Sequence, residues 1–527
     1  MAKFNKIIKR RPYGPVEIDR TAAPLTTHEG GPALARTAKS DLFLLGVTTM
    51  VGEDTFYEKG TDRDARFARL VREVAVADAA WLTGFVRWLR TVANLRTAPI
   101  VAAAEGVHAR RAAGLAGGNR ALVDAAVLRA DEPGEFLAYW RTRFGRPLPG
   151  PVKNGLADAV RRVYTEFATL KYDTPAFAWR FGDVVEAVHP KPRTDAEAEL
   201  FEHLLARRHG RAELFRGQGL PMLRARAALA ATPAGERRAR LGDWSLFRDA
   251  GMTWEAVPAW LDAGGDGRMD AAAWEAIIPR MGLFALARNL RNFDEAGVSD
   301  EVAARIVARF ADPEQVARSR MFPYRWLAAY EAAPSLRWGH GLDLALNASV
   351  RNVPALIGRT LVLVDTSASM TQKPYAGRSK MTPAKNAAIF GAALALRNPA
   401  QTDLVGFATG SFRHRVRAGE ALLRVVEAFN RRTGEAGHGT EIAAALRANY
   451  ARHARVFIIS DMQTMDAGVS SAVPERIPLY GVNLGGYRPT VIPAGDQRRF
   501  EFPALGDAMF PMVPLLESGE SAGWPWE

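Results

Sequence analysis

The chain of 527 residues contains no cysteine. Disulfides, cysteine-bound zinc, iron–sulfur clusters and thiol nucleophiles are therefore excluded, and a reducing compartment is expected. Histidine is sparse: nine residues, no two of them four apart, so no helical zinc pair can form. The motifs GxxxxGK[ST] and HExxH are missing, which removes the P-loop cradle and the zincin site. Long apolar runs are missing as well. The stretch from Leu42 to Val51 is far shorter than the roughly 20 residues that span a bilayer. The opening segment MAKFNKIIKRRPYGP is basic without an apolar core, so no secretory signal is expected, and the protein reads as soluble and cytoplasmic. Negative charge is in deficit, with 57 Asp and Glu against 70 Lys and Arg, a formal charge of +13. That excess favours an anionic partner.

What is present is ordinary for a folded protein: 48% hydrophobic and 24% charged residues. Wholesale disorder and fibrous classes are excluded. At about 100–200 residues per domain, the length allows three ordinary units or two larger ones.

From about residue 40 to 345 the pattern is helical. Ala65–Val76 places Phe67, Leu70, Val71 and Val74 at three- and four-residue spacing, and Trp81–Val92 repeats this with Leu82, Phe85, Val86 and Leu89. Pro99 starts a third helix, and Asp131-Glu132-Pro133 opens another with Asp131 as its cap. Further helices are expected over Gly155–Leu170, Glu197–Arg208, Trp274–Arg291 and Val302–Phe310. Short helices with short connectors fit stacked pairs of the HEAT type, or one irregular bundle; no exact repeat decides between them. Trp81, Trp88, Trp140 and Trp179 read as core residues rather than as platforms for bases.

From about residue 356 the period changes. Arg359–Asp365, Thr402–Ala408, Arg455–Asp461 and Ile477–Asn483 are apolar runs rich in β-branched residues, as in parallel strands covered on both faces. Helical stretches alternate with them at Pro383–Arg397, Glu420–Asn430 and Glu441–His453. This predicts a doubly wound α/β domain, with the junction near Asn347–Arg359. Most of the positive excess falls before that junction.

In open α/β sheets, ligands bind at the carboxyl ends of the strands. The first strand ends in Asp365-Thr366-Ser367-Ala368-Ser369, one carboxylate and two hydroxyls at alternate positions. Thr440, in Gly437-His-Gly-Thr440-Glu441, adds a hydroxyl, and the third strand ends in Ser460-Asp461. Carboxylates with hydroxyls and water suit Mg²⁺ and leave a coordination position for a partner's oxygen. Asp and Ser also cap helices after strands, so each segment alone would be ambiguous; three at strand ends, in order, point to a metal. The segment from Asp365 to Asp461 resembles the metal-ion-dependent adhesion site of a von Willebrand factor A domain. In that family the positions matching Asp365, Ser367, Ser369, Thr440 and Asp461 surround the ion.

The helical region carries a second resemblance. Met50-Val-Gly-Glu-Asp-Thr-Phe-Tyr57, Val188-His-Pro-Lys-Pro192, Met281-Gly-Leu-Phe-Ala-Leu-Ala-Arg-Asn-Leu-Arg-Asn-Phe293 and Arg320-Met-Phe-Pro-Tyr324 resemble the TROVE module of the bacterial Ro ribonucleoprotein family. The resemblance implies a basic arm over 1–24, a ring of HEAT-like helical pairs over 25–350 and a von Willebrand A domain over 356–527. It implies small non-coding Y RNA on the outer face, single-stranded 3′ ends of misfolded RNA in a central hole, and work alongside an exoribonuclease in RNA quality control. It implies a monomer, with no membrane partner. Lys171 and His189 match family positions on the Y RNA surface. Tyr172, Arg180 and Lys191 lie near them and mix cations with aromatics, as looped or single-stranded RNA requires. Vertebrate relatives carry a basic cluster after the Lys-Tyr pair, where this chain has Asp173-Thr174-Pro175. The residues Lys3, Lys6, Lys9, Arg10 and Arg11 form an arm that either contacts phosphate or is a disordered tail.

Two carboxylates are fewer than two-metal nucleases use, so a binding protein is expected rather than an enzyme. The alternatives are an A-domain adaptor that grips an ATPase or chelatase partner without RNA, and a metal-dependent nuclease.

Overall fold

The computed structural model describes residues 25–26, 32–33, 37–48, 60–211, 219–262, 269–333, 335–371, 382–464, 468–484, 492, 498–502, 509–517 and 524–526. The basic arm and the Met50–Tyr57 motif lie outside the described residues. The chain divides into two compact units. One comprises residues 71–315 and 332–341; the other comprises 1–70, 316–331 and 342–527.

The first unit is helical throughout its described residues. Its helices start where a side chain can take up an orphan backbone N–H. Asp78 accepts from Trp81 N at 2.9 Å to open Ala79–Thr91, Thr165 accepts from Ala168 N at 3.1 Å to open Glu166–Tyr172, and Thr194 accepts from Glu197 N at 3.1 Å to open Asp195–Arg208. The helix Ala79–Thr91 buries Leu82, Phe85, Val86 and Leu89 together with Trp81 and Trp88. Helices near in sequence pack on one another: Ala79–Thr91 on Thr97–Ala112, the latter on Glu132–Phe144, and Phe181–Val188 on Asp195–Arg208. A stack of neighbours is the expected HEAT-like arrangement. Gly106 marks a close approach: a Cβ there would lie 2.8 Å from Leu82 Cδ2 and 3.2 Å from Leu122 Cδ2.

Three local expectations fail for identifiable reasons. Gly155–Leu170 is not one helix. Gly150–Val163 ends at Tyr164, which is extended and stacks on Phe181 at 4.1 Å, and Thr165 caps a new helix. Trp274–Arg291 also breaks. Pro279 sits in the 3₁₀ turn Ile278–Arg280, and Met281 and Gly282 are extended before Leu283–Ala296. Asp131 does not cap Glu132–Phe144; its carboxylate is held by Arg129 and Arg96. The backbone N–H groups of Leu128 and Arg129 donate instead to Glu132, both at 2.8 Å.

The second unit holds a small ladder, β1 (Leu25–Thr26) with β2 (Pro32–Ala33), and a six-stranded sheet. The strands of the sheet are β3 (Thr360–Asp365), β4 (Thr402–Phe407), β5 (Ser411–His414), β6 (Arg455–Ser460), β7 (Leu479–Asn483) and β8 (Arg499–Phe502), in spatial order β5-β4-β3-β6-β7-β8. All neighbours are parallel except the edge pair β4–β5. The apolar runs follow from burial on both faces. Leu361 and Leu363 pack with Ile442 and Leu446 of the helix Ile442–Asn449. Val362 and Val364 lie beneath Gly391 of the helix Pro383–Arg397. This is the doubly wound layering read from the sequence, with an antiparallel edge added.

The segments missing from the sequence reading are β1, β2, β5, β8 and the C-terminal helix Met509–Glu517. Glu517 secures that helix by accepting from Arg455 Nε at 2.6 Å and Nη2 at 2.7 Å. The helix Ala38–Thr48 packs on β8, and Phe43 meets the Trp524 ring edge-on at 5.5 Å. No helix among the described residues is long and apolar enough to cross a membrane.

Candidate functional site

The carboxyl end of β3 is the centre of one candidate site. Asp365 is its last residue and is fully buried. The Ser367 N–H donates to Asp365 Oδ1 at 2.8 Å, which turns the chain back on itself. The Ser460 hydroxyl, from the end of β6, donates to Asp365 Oδ2. Ser367 and Ser369 bring their hydroxyl oxygens to 3.2 Å of each other. Asp461 is buried one residue beyond β6.

The loop that carries Thr440 is tied to both other segments. Ala368 N–H donates to the His438 carbonyl at 3.4 Å, and the Thr464 hydroxyl donates to the Thr440 carbonyl at 2.8 Å. Gly437 has φ +90°, and a Cβ there would lie 2.9 Å from Thr409 Oγ1. Glycine therefore lets this loop lie against the end of β4. Segments more than 70 residues apart in the chain are so gathered at one sheet edge.

The electrostatics fit a cation. Burial, with the Asp461 charge beside it, pushes the Asp365 carboxyl up to about 7 against the opposing hydrogen bonds from Ser367 and Ser460. Asp365 forms no ion pair among the described residues. A buried carboxylate beside a second carboxylate and among hydroxyls is stabilised by a cation. The donors are all oxygen, which suits Mg²⁺. No group of three or more His, Asp or Glu that could hold a metal forms among the described residues, so this site offers two carboxylates and otherwise hydroxyls.

The second candidate site is a basic surface on the helical unit. Lys171 is exposed in the last turn of Glu166–Tyr172, with its Nζ 5.4 Å from the Tyr172 ring and 5.9 Å from the Phe167 ring. Phe167 is itself exposed. The Arg129 guanidinium lies over the same Tyr172 ring at 4.8 Å. Sequence reasoning missed Arg129, because 43 residues separate it from Tyr172 and no spacing signals the contact.

His189 is exposed and caps the helix Phe181–Val188 in the left-handed conformation at φ 50°. Lys191 is exposed two residues on and makes no ion pair among the described residues. Arg180 is differently placed. Its Nε and Nη2 donate to Asp173 at 3.2 and 2.8 Å. Asp173 is buried and also accepts from Phe181 N at 3.0 Å, with Arg207 Nε at 3.4 Å. The acidic residue in place of a basic cluster thus anchors the helix start at Phe181, and it holds Arg180 in that task. Trp81, Trp88 and Trp140 are core residues, as expected. Trp179 is half-buried, with Arg141 over its ring at 5.4 Å.

Comparisons with known proteins agree with this architecture. Residues 238–340 match the TROVE domain family. That stretch contains Met281–Phe293 and Arg320–Tyr324; Lys171–Lys191 lie outside it. The fold matches the crystal structure of the Ro (RSR) protein of Deinococcus radiodurans, with a TM-score of 0.68 at 19% identity, covering 91% of this chain and 100% of that one. No curated protein sequence matches the chain. The TROVE match and the fold together support the resemblance to bacterial Ro proteins.

Proposed function

From a TROVE domain set in the fold of a bacterial Ro protein, we propose that this chain is an RNA-binding protein of the Ro type. The observation that carries the reading is the coincidence of a TROVE match with a fold match spanning nearly the whole chain. The charge of +13 supports it, since neutralising phosphates and releasing their counterions supplies much of the affinity for nucleic acid.

Folded small RNA of the Y type binds the surface marked by Lys171, His189 and Lys191. Lys171 contacts phosphate beside the Tyr172 ring, while Arg180 holds the underlying helix through Asp173. Single-stranded 3′ ends occupy the hole of the helical ring that the resemblance implies. The protein acts by binding rather than by catalysis, as a monomer in the cytoplasm, and delivers RNA to an exoribonuclease. Mg²⁺ at Asp365, Ser367, Ser369, Thr440 and Asp461 offers an open position to a partner's carboxylate, which gives the A domain a protein partner of its own.

The test is to purify the protein from its own cells at low salt and sequence the RNA that accompanies it. A discrete small RNA with an internal stem and loops is the expected result. A nucleic-acid-free protein that also fails to bind RNA 3′ tails would overturn the reading in favour of an A-domain adaptor.

A further inference from the structure

A cleft of about 770 Å³ opens in the helical unit, lined by none of the site residues assigned above. Its walls are Arg72, His108, Arg143 and Phe144, and three alanines of the helix Thr97–Ala112 and its cap leave the space between them. Three features make it a built site rather than a surface irregularity.

The first is the way the two arginines are held. Glu105 is fully buried and holds both arginines that line the cleft. Arg72 Nε donates to its Oε2 at 2.6 Å, Arg143 Nε to its Oε1 at 3.1 Å, and the Tyr139 hydroxyl to Oε1 at 2.8 Å. Burial alone would raise the Glu105 carboxyl, but these three partners hold it below the usual range, so it stays ionised. Each arginine therefore spends its Nε on an internal carboxylate. The Nη atoms of both make no hydrogen bond among the described residues, and the two side chains remain partly exposed.

The second is charge: the single carboxylate of Glu105 faces two guanidinium groups, those of Arg72 and Arg143. The third is an aromatic wall. His108 stacks on Phe144 with centroids 4.0 Å apart and planes 9° from parallel, and Trp140 supports Phe144 edge-on at 4.9 Å. His108 is exposed, so the stack ends in an accessible ring.

Two pre-positioned guanidinium edges suit a phosphate, and a neighbouring flat ring suits a base. We propose that this cleft binds one nucleotide, its phosphate on Arg72 and Arg143 and its base against the His108–Phe144 stack. The site goes beyond the surface around Lys171 and shares no residue with it. The nucleotide arrives either free or as a unit of a single strand, and the two sources are separable.

The test uses the full chain with AMP, inorganic phosphate and a short fluorescein-labelled oligouridylate as probes. AMP binding by calorimetry is expected, tighter than inorganic phosphate. Phe144→Leu and Arg143→Lys should each weaken it about tenfold with the melting temperature unchanged. If Phe144→Leu melts early, His108→Ala replaces it. An oligouridylate that binds more tightly than AMP, and is displaced by AMP, identifies a strand; tighter AMP identifies the free nucleotide. Phosphate binding as tight as AMP, or variants that change neither probe, would overturn the proposal. A protein that carries no cellular RNA but binds AMP in a Phe144-dependent way would sink the earlier reading and leave this one standing.

Discussion

Two aspartates, both buried, sit at the centres of the two candidate sites in opposite company. Asp173, in the helical unit, has Arg180 and Arg207 against its carboxylate. Asp365, in the α/β unit, has hydroxyls, a backbone N–H and the charge of Asp461. Internal cations satisfy the first, and its task is structural. The second has no ion pair among the described residues, and the proposed metal would supply its cation. Burial of an acidic group does not by itself mark function; the sign of what surrounds it does.

The largest effects should come from breaking this contrast directly. Asp173→Ala removes the partner of a largely buried Arg180 and should cost about 3–5 kcal/mol in denaturant unfolding. Asp365→Asn removes one of two like charges and should raise stability, by on the order of 1–3 kcal/mol, when measured with chelator present. If both substitutions destabilise to the same degree, the two aspartates are not opposites. Magnesium sharpens the comparison. At one hundred times its dissociation constant, Mg²⁺ should stabilise the native protein by about 2.7 kcal/mol and should do nothing for Asp365→Asn. A melting temperature in the native protein that ignores Mg²⁺ would remove the metal reading.

The next contrast lies within the basic surface. Lys171→Ala with His189→Ala should weaken binding of folded RNA by about tenfold and lower the salt dependence by close to one phosphate equivalent, at unchanged stability. Arg180→Ala should do the reverse. It should lower stability through Asp173, and any loss of RNA affinity should disappear once the folded fraction is taken into account. Gel-shift titrations at two salt concentrations, paired with unfolding curves, separate the two outcomes.

The α/β unit was the more legible in sequence because its signals are local and its geometry is generic. A strand buried on both faces must be apolar throughout, and the residues after it must lie at the sheet edge. Asp365, Thr440 and Asp461 could thus be grouped without knowing a single contact. The short β5 edge strand escaped because Ser411–His414 alternates exposed and buried residues over four positions, too few for a periodic signal. In the helical unit the helices themselves were readable, but their ends were not. Periodicity passes through Tyr164 and Ile278, and only the Thr165 cap and the Pro279 turn stop it. The commitments of arginines were least legible of all. Arg180, Arg129 and Arg143 look alike in a sequence rich in arginine. One is spent on Asp173, one covers Tyr172, and one leaves its Nη edge facing a cleft.

The smallest expected effect tests whether the α/β unit pairs another of its carboxylates, Asp403, as the helical unit pairs Asp173. At the opposite end of β4 from the proposed metal residues, His453 is fully buried. Its Nδ1 accepts from Ala451 N at 3.1 Å, so the neutral ring carries its proton on Nε2, which lies 2.7 Å from Asp403 Oδ2. Arg359 Nη2 donates to the same Asp403 oxygen at 2.6 Å. Asp403 is thus paired internally, in the manner of Asp173. Burial lowers the His453 pKa, with Arg359 and Arg413 adding to it and Asp403 opposing. A histidine lowered on folding is protonated first in the unfolded chain. Its contribution is therefore present above the unfolded value of about 6.5 and is lost progressively as pH falls below it. Unfolding free energy should decline between pH 7 and pH 5, and His453→Gln should flatten that part of the curve while lowering stability at pH 7. A His453→Gln curve parallel to the native one would show that the ring is not the titrating group, and that Asp403 owes its place to Arg359 alone.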